Sequence, residues 1–188
     1  TGACLPTLAD KSCLPLSKQG RIANQLLAQT LTLGLNLRIV EELGALHLEA
    51  GKWLVTQNKK ACNSAEGVDM VCSPVYSTVT PTLIECYEMT TDPYDYYWLP
   101  EAVLCYMDAK GYAMTVQGLY NLANDALGQA RTFPAKVTCE EITYTVNLSA
   151  IQSAVDMINN AFDGCRIFAG WVDEKFTCPN QCLPYTFS

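Results

Sequence analysis

The sequence predicts a mainly α fold with minor β: a compact helical domain stapled by disulfides, with extended arms marked by proline and cysteine at both ends. Three observations predict it. Apolar residues recur at helical spacing in three separate segments. The chain has 188 residues and 10 cysteines, an even and widely spaced set. The tripeptide Cys-Leu-Pro marks both ends, as Cys4-Leu5-Pro6, Cys13-Leu14-Pro15 and Cys182-Leu183-Pro184. At this length a single domain is expected, and such a chain buries roughly 70% of its unfolded surface. The predicted organisation is an arm over 1–17, a helical disulfide-rich domain over 18–177 with an irregular insert at 56–110, and a second arm over 178–188.

The elements follow in chain order. Pro6 and Pro15 keep residues 1–17 extended. The two arms read either as anchored termini or as straps that reach onto a neighbouring copy. Ile22, Leu26, Leu27 and Leu31 then follow helical spacing, while Leu31, Leu33, Leu35, Leu37 and Ile39 alternate as in a strand. The reading adopted is helix to about residue 35, continuing toward Glu42, with Gly44 as a stop. A short amphipathic piece is expected over 45–54. Residues 56–110 hold four prolines, four cysteines and most of the tyrosines. Within them, residues 75–80 are β-branched and read as a strand, and Asp92-Pro93 reads as a turn leading into an aromatic run.

Two further helices are expected. Thr115 is a plausible N-cap for a helix ending near Leu127 and Gly128, with Val116, Leu119, Tyr120, Ala123 and Leu127 on one face. Ser149 with Gln152 has the spacing of a capping box, followed by the stripe Ile151, Val155, Ile158 and Phe162 and a stop at Gly164. The two align at an offset of 35 (Gln117 with Gln152, Asn124 with Asn159) and are joined by a strand-like link over 137–146. This echo is too short for a solenoid.

Charge and cysteine usage narrow the function. The net charge is −7 and charged residues are only 16%, so no cationic stripe exists to displace counterions from phosphates, and no nucleic-acid partner is expected. Anionic membranes repel such a chain, and no apolar run reaches the length of a membrane span. The cysteines (Cys4, Cys13, Cys62, Cys72, Cys86, Cys105, Cys139, Cys165, Cys178 and Cys182) lack the paired close spacing of a zinc site. All ten are therefore expected in disulfides, in an extracellular or cell-surface protein. Spacing leaves their connectivity open, beyond a local staple between Cys4 and Cys13 and distant partners for Cys178 and Cys182. The start Thr1-Gly2-Ala3-Cys4 has no signal-peptide pattern and reads as a mature, processed product or an excised domain.

Three stretches resemble modules of large secreted surface and adhesin proteins of gliding-type Bacteroidota: the leucine-rich 26–37, the helix over 116–128 and the helix over 151–163. Together they cover 38 of the 188 residues. The resemblance implies secretion, a surface or filament role, and no catalytic residues. The abundance of cysteine departs from it.

Little in the sequence points to catalysis. His47 is the single histidine, set between two leucines, and with the cysteines oxidised it has no thiol partner. Neither a G-x-S-x-G elbow nor an H-E-x-x-H helix occurs, and no cofactor is expected. Paired carboxylates at Glu41-Glu42 and Glu140-Glu141 read as solvated faces. Asp92 and Asp95 beside turn carbonyls are the only calcium candidates, without an EF-hand loop around them. Asn147-Leu148-Ser149 is an N-glycosylation sequon overlapping the expected helix cap. The aromatic run Tyr94, Tyr96, Tyr97 and Trp98 is the expected contact site, because flat amphipathic rings give large contact area at small entropy cost. The expectation is thus a non-enzymatic structural subunit of a surface filament or adhesive layer, whose partners are other copies of itself. The alternative is a monomeric adhesin module that binds a surface glycan or host protein through a 92–98 aromatic loop.

Overall fold

A computed structural model describes residues 24–182. Cys4, Cys13, the expected arm over 1–17 and the tail beyond Cys182 lie outside the described residues. The fold is mixed α/β rather than mainly α: 40% is helix and 28% is strand, the strands forming three small sheets. In chain order the elements are α1 (Gln25–Ile39), α2 (Glu41–Ala45), β1 (Trp53–Gln57), β2 (Val71–Tyr76), β3 (Ile84–Thr91), β4 (Tyr94–Trp98), α3 (Glu101–Lys110), α4 (Val116–Gly128), β5 (Ala135–Cys139), β6 (Ile142–Val146), α5 (Leu148–Ala161) and β7 (Ile167–Val172).

The mainly α expectation fails because the strands are short and hide their period. The middle of β1, Leu54-Val55-Thr56, is buried on both faces, so it lacks the alternation that marks a half-buried strand. The amphipathic piece expected over 45–54 does not form: α2 stops at Ala45 and β1 begins at Trp53. Pro74 lies inside β2, where it is tolerated on an edge. The stretch expected to be irregular, 56–110, therefore carries three whole strands, β2, β3 and β4, and the end of β1. Conversely, the leucines that alternate over 31–39 belong to a helix.

The described residues form two compact units, 24–50 with 99–160 and 51–98 with 161–182. The first is helical, with the β5–β6 hairpin beside α3. Its core is formed by Leu33 of α1, Leu48, Val103, Leu104 and Met107 of α3, Leu119 and Leu122 of α4, and Ile151 and Ile158 of α5, all fully buried. Asn24 caps α1 by accepting the Leu27 N–H, and Thr115 caps α4 by accepting the Gly118 N–H at 3.1 Å. The cap of α5 is Asn147, which accepts the Ala150 N–H at 2.8 Å; Ser149 lies inside the helix and not at its cap. The α4–α5 echo is accordingly offset by 32 and not 35, pairing the buried Leu119, Leu122, Ala123 and Ala126 with Ile151, Ala154, Val155 and Ile158. Asn159 ties α5 to α1 by donating to the Gln29 carbonyl at 3.0 Å and to its side-chain oxygen at 2.8 Å. The Cys105–Cys139 disulfide joins α3 to β5.

The second unit has two sheets, β4-β1-β7 and β2-β3, and a much smaller core in which Leu54 and Val55 are the large fully buried side chains. Three disulfides compensate: Cys62–Cys165, Cys72–Cys178 and Cys86–Cys182, with sequence separations of 103, 106 and 96. Closing one such loop alone removes unfolded-chain entropy equivalent to about 4–5 kcal/mol, which is how small cores are commonly stabilised. Residues 180–182 also run beside β3, with the Tyr87 N–H donating to Asn180 and the Cys182 N–H donating to Tyr87. Among the described residues every cysteine is disulfide-bonded, and no helix is long and apolar enough to cross a membrane.

Candidate functional site

The aromatic run is a strand, not a loop, and this divides its side chains. A two-residue period places Tyr94, Tyr96 and Trp98 on one face of β4 and Asp95 and Tyr97 on the other. The antiparallel register with β1 pairs Trp53 with Trp98, Val55 with Tyr96 and Gln57 with Tyr94. Trp53 thereby joins the first face, its ring edge-on to Trp98 at 5.0 Å between centroids.

The segment between β7 and Cys178 completes this face. The Phe176 N–H donates to the Tyr96 hydroxyl at 2.9 Å. The Phe176 ring lies 4.9 Å from Tyr94 and 6.3 Å from Tyr96. The Lys175 ammonium sits over two rings, 4.6 Å from the Trp53 centroid and 5.3 Å from that of Tyr96. Trp53, Tyr94, Tyr96 and Trp98 are half-buried, while Lys175 and Phe176 are exposed. Desolvation raises the Tyr96 phenol above its ordinary value; the Phe176 N–H opposes this, and the negative charge of Asp92 adds to it.

The opposite face is tied by one guanidinium. Arg166 Nε donates to the Thr56 hydroxyl at 2.9 Å, and Nη2 donates to the carbonyls of Thr56 and Pro93 at 3.0 Å each. Nη1 pairs with Asp95 at 2.9 Å and also donates to Asn58. Arg166 thus links β1, the turn before β4 and the start of β7. Tyr97 lies near this cluster, its phenol raised by desolvation and then by the Asp95 charge. Of the two calcium candidates, Asp95 already has a cation beside it, and Asp92 accepts the Tyr94 N–H at 3.1 Å in a local turn.

The remaining sequence candidates are scattered. His47 is exposed in an isolated bridge with Thr115, outside any helix. Glu41 and Glu42 occupy the first turn of α2. Glu140 and Glu141 form the tip of the β5–β6 hairpin, both in the left-handed region. A cleft of about 380 Å³ in the first unit is lined by Asn24, Leu26, Leu127, Leu148, Ser149 and Gln152, among other residues, and presents no titratable side chain. Among the described residues no group of three or more His, Cys, Asp or Glu side chains is placed to hold a metal.

Two other surfaces are unusual for their apolarity. On α1, Leu31, Leu35 and Ile39 follow i, i+4, i+8 spacing and are 51%, 61% and 79% exposed. On the second unit, the tip of the β2–β3 hairpin presents Val79, 88% exposed, with Leu83, Ile84 and Tyr76 around it. Residues 71–84 contain no charge. Local hydrogen bonds tie the tip: the buried Ser77 hydroxyl oxygen accepts the N–H groups of Val79 and Thr80, and the Ser77 N–H donates to Leu83.

No protein-family model, curated protein or solved structure matches this chain. Sequence reasoning found Tyr94, Tyr96 and Trp98 but missed Trp53, Lys175, Phe176 and Arg166. The β-branched and aromatic run Trp53–Thr56 after Gly51 was a usable strand signal. Lys175 and Phe176 gave none, because a loop reaches its partners through tertiary contact.

Proposed function

We propose that this protein is a non-enzymatic, disulfide-braced extracellular subunit that associates with copies of itself in a surface layer or filament. The observation that carries the reading is the exposed stripe Leu31, Leu35 and Ile39 on α1. Monomeric proteins rarely hold such a row of large aliphatic side chains in water. The stripe suits a second copy of the same helix. An antiparallel pair centred on Leu35 sets Leu31 against Ile39 of the other copy and Arg38, the single charge of α1, against Thr32 rather than another Arg38. The uncharged β2–β3 tip is a second, separate apolar surface. Two different sticky surfaces on one chain favour an assembly that continues rather than one that closes. The four disulfides among the described residues fit an oxidising compartment. The resemblance to secreted surface modules points the same way.

Light scattering after size exclusion, over a range of concentrations in native salt, tests this reading. The mass is expected to rise with concentration, and Ile39→Asp to weaken association by at least about 30-fold. That figure takes about 1 kcal/mol for the exposed share of one isoleucine and counts it twice in a twofold pair. A mass that stays monomeric at the highest concentration rejects the proposal.

A further inference from the structure

The aromatic face of β4 carries a feature that self-association does not use. Lys175 lays its ammonium over Trp53 and Tyr96 at 4.6 and 5.3 Å. Among the described residues no carboxylate forms an ion pair with it. Two ring faces set at that distance around one positive charge constitute a cation-binding geometry, filled here by the chain itself. We propose that Trp53 and Tyr96 form a cation site that Lys175 occupies from within the chain and that a quaternary ammonium group of an external ligand occupies in its place.

The chemistry favours exchange in that direction. A lysine ammonium is compact and strongly hydrated, and ring faces do not replace the hydrogen bonds it leaves behind in water. A quaternary ammonium has no N–H to satisfy, spreads its charge over methyl groups, and gains from contact with the apolar rings. Lys175 is exposed, so on leaving it returns to water and regains side-chain freedom. The rings themselves are preorganised. Trp53 is braced by Trp98 and Tyr96 by its register with Val55, both on paired strands. The segment that bears Lys175 is not part of a strand or helix; the Phe176 N–H bond to Tyr96 and the Phe176 ring on Tyr94 hold it down. The negative charge of Asp92 is felt at Tyr96, and Asp173 and Glu174 adjoin Lys175 in sequence, so the surroundings favour a positive ligand.

The test titrates the intact protein with choline and with tetramethylammonium, followed by tryptophan fluorescence and calorimetry. Saturable binding of both is expected. Lys175→Ala removes the internal competitor and is expected to tighten binding about two- to fivefold. Tyr96→Phe keeps the ring and is expected to retain binding. Tyr96→Leu is expected to lose it with an unchanged circular dichroism spectrum; if that variant does not fold, Trp53→Phe takes its place, with weaker binding expected. Trp171→Phe, on the other face of the sheet, is expected to leave affinity unchanged. The uncharged analogue 3,3-dimethylbutan-1-ol separates charge from shape and is expected to bind far more weakly than choline. The proposal is overturned if Lys175→Ala shows no saturable binding of either cation, or if the neutral analogue binds as well as choline. These readouts do not involve the α1 stripe, so they stand or fall apart from self-association.

Discussion

Two glycines of α4 should respond in opposite ways to the same substitution. In an open helix, Gly→Ala stabilises by about 1 kcal/mol through backbone entropy. Gly128, at the end of α4, has nothing within 4 Å of the site a Cβ would occupy, so Gly128→Ala should raise stability by about 0.5–1 kcal/mol. Gly118 is different. A Cβ there would lie 1.9 Å from the Ala113 carbonyl oxygen and 2.8 Å from its carbon. Carbon and oxygen in close non-bonded contact sit about 3.3 Å apart, so the backbone at Ala113 must retreat by roughly 1.4 Å. That carbonyl accepts the Thr115 N–H at 2.8 Å, and Thr115 in turn caps α4 through the Gly118 N–H. Overpacking of this kind costs about 1–3 kcal/mol, and a weakened cap adds about 1 kcal/mol. After the gain in helix propensity, Gly118→Ala should destabilise by about 2 kcal/mol. Urea denaturation followed by circular dichroism, with linear extrapolation, measures both variants. If Gly118→Ala matches or exceeds the unmodified protein in stability, the close approach of Ala113 is not what shapes the start of α4, and the reasoning fails.

Three other outcomes are expected. Replacing both Cys105 and Cys139 by alanine opens a closure of 34 residues and should lower stability by about 4 kcal/mol in the same denaturation assay; a loss under about 1 kcal/mol would contradict it. Glu141→Gly should stabilise the β5–β6 hairpin by about 1 kcal/mol, because both turn residues adopt positive φ, which glycine accepts without a Cβ penalty; an unchanged denaturation midpoint would count against this. The Tyr112 phenol, desolvated and donating to Asp125 at 2.8 Å, is pushed up to about 12. Its folded value exceeds its unfolded one, so its contribution is intact below pH 10 and is lost as the pH rises from 10 through about 12. Ultraviolet difference titration should show several tyrosines ionising late, Tyr112 among them, and Tyr112→Phe should reduce the late phase by the amplitude of one tyrosine.

Composition and local pattern alone determined several features of this protein. The helix α4 and its Thr115 cap were legible because apolar spacing and cap chemistry act within four residues. The oxidised state of the cysteines from Cys62 to Cys182 followed from their number and spacing, and the clustering of rings at 94–98 was visible directly. Tertiary structure decided the rest. It set the α/β balance, since β1 is buried on both sides and carries no alternation. It chose which leucines of α1 enter the core, because Leu33 is buried while Leu35, two residues on, faces water; only the position of the other helices separates them. It paired cysteines about 100 residues apart, where no local rule operates. It also brought Lys175 onto Trp53, across more than half the chain. Short-range preferences are written in neighbouring residues, whereas the partner of a buried strand, a distant thiol or a loop lysine depends on the whole chain having closed around it.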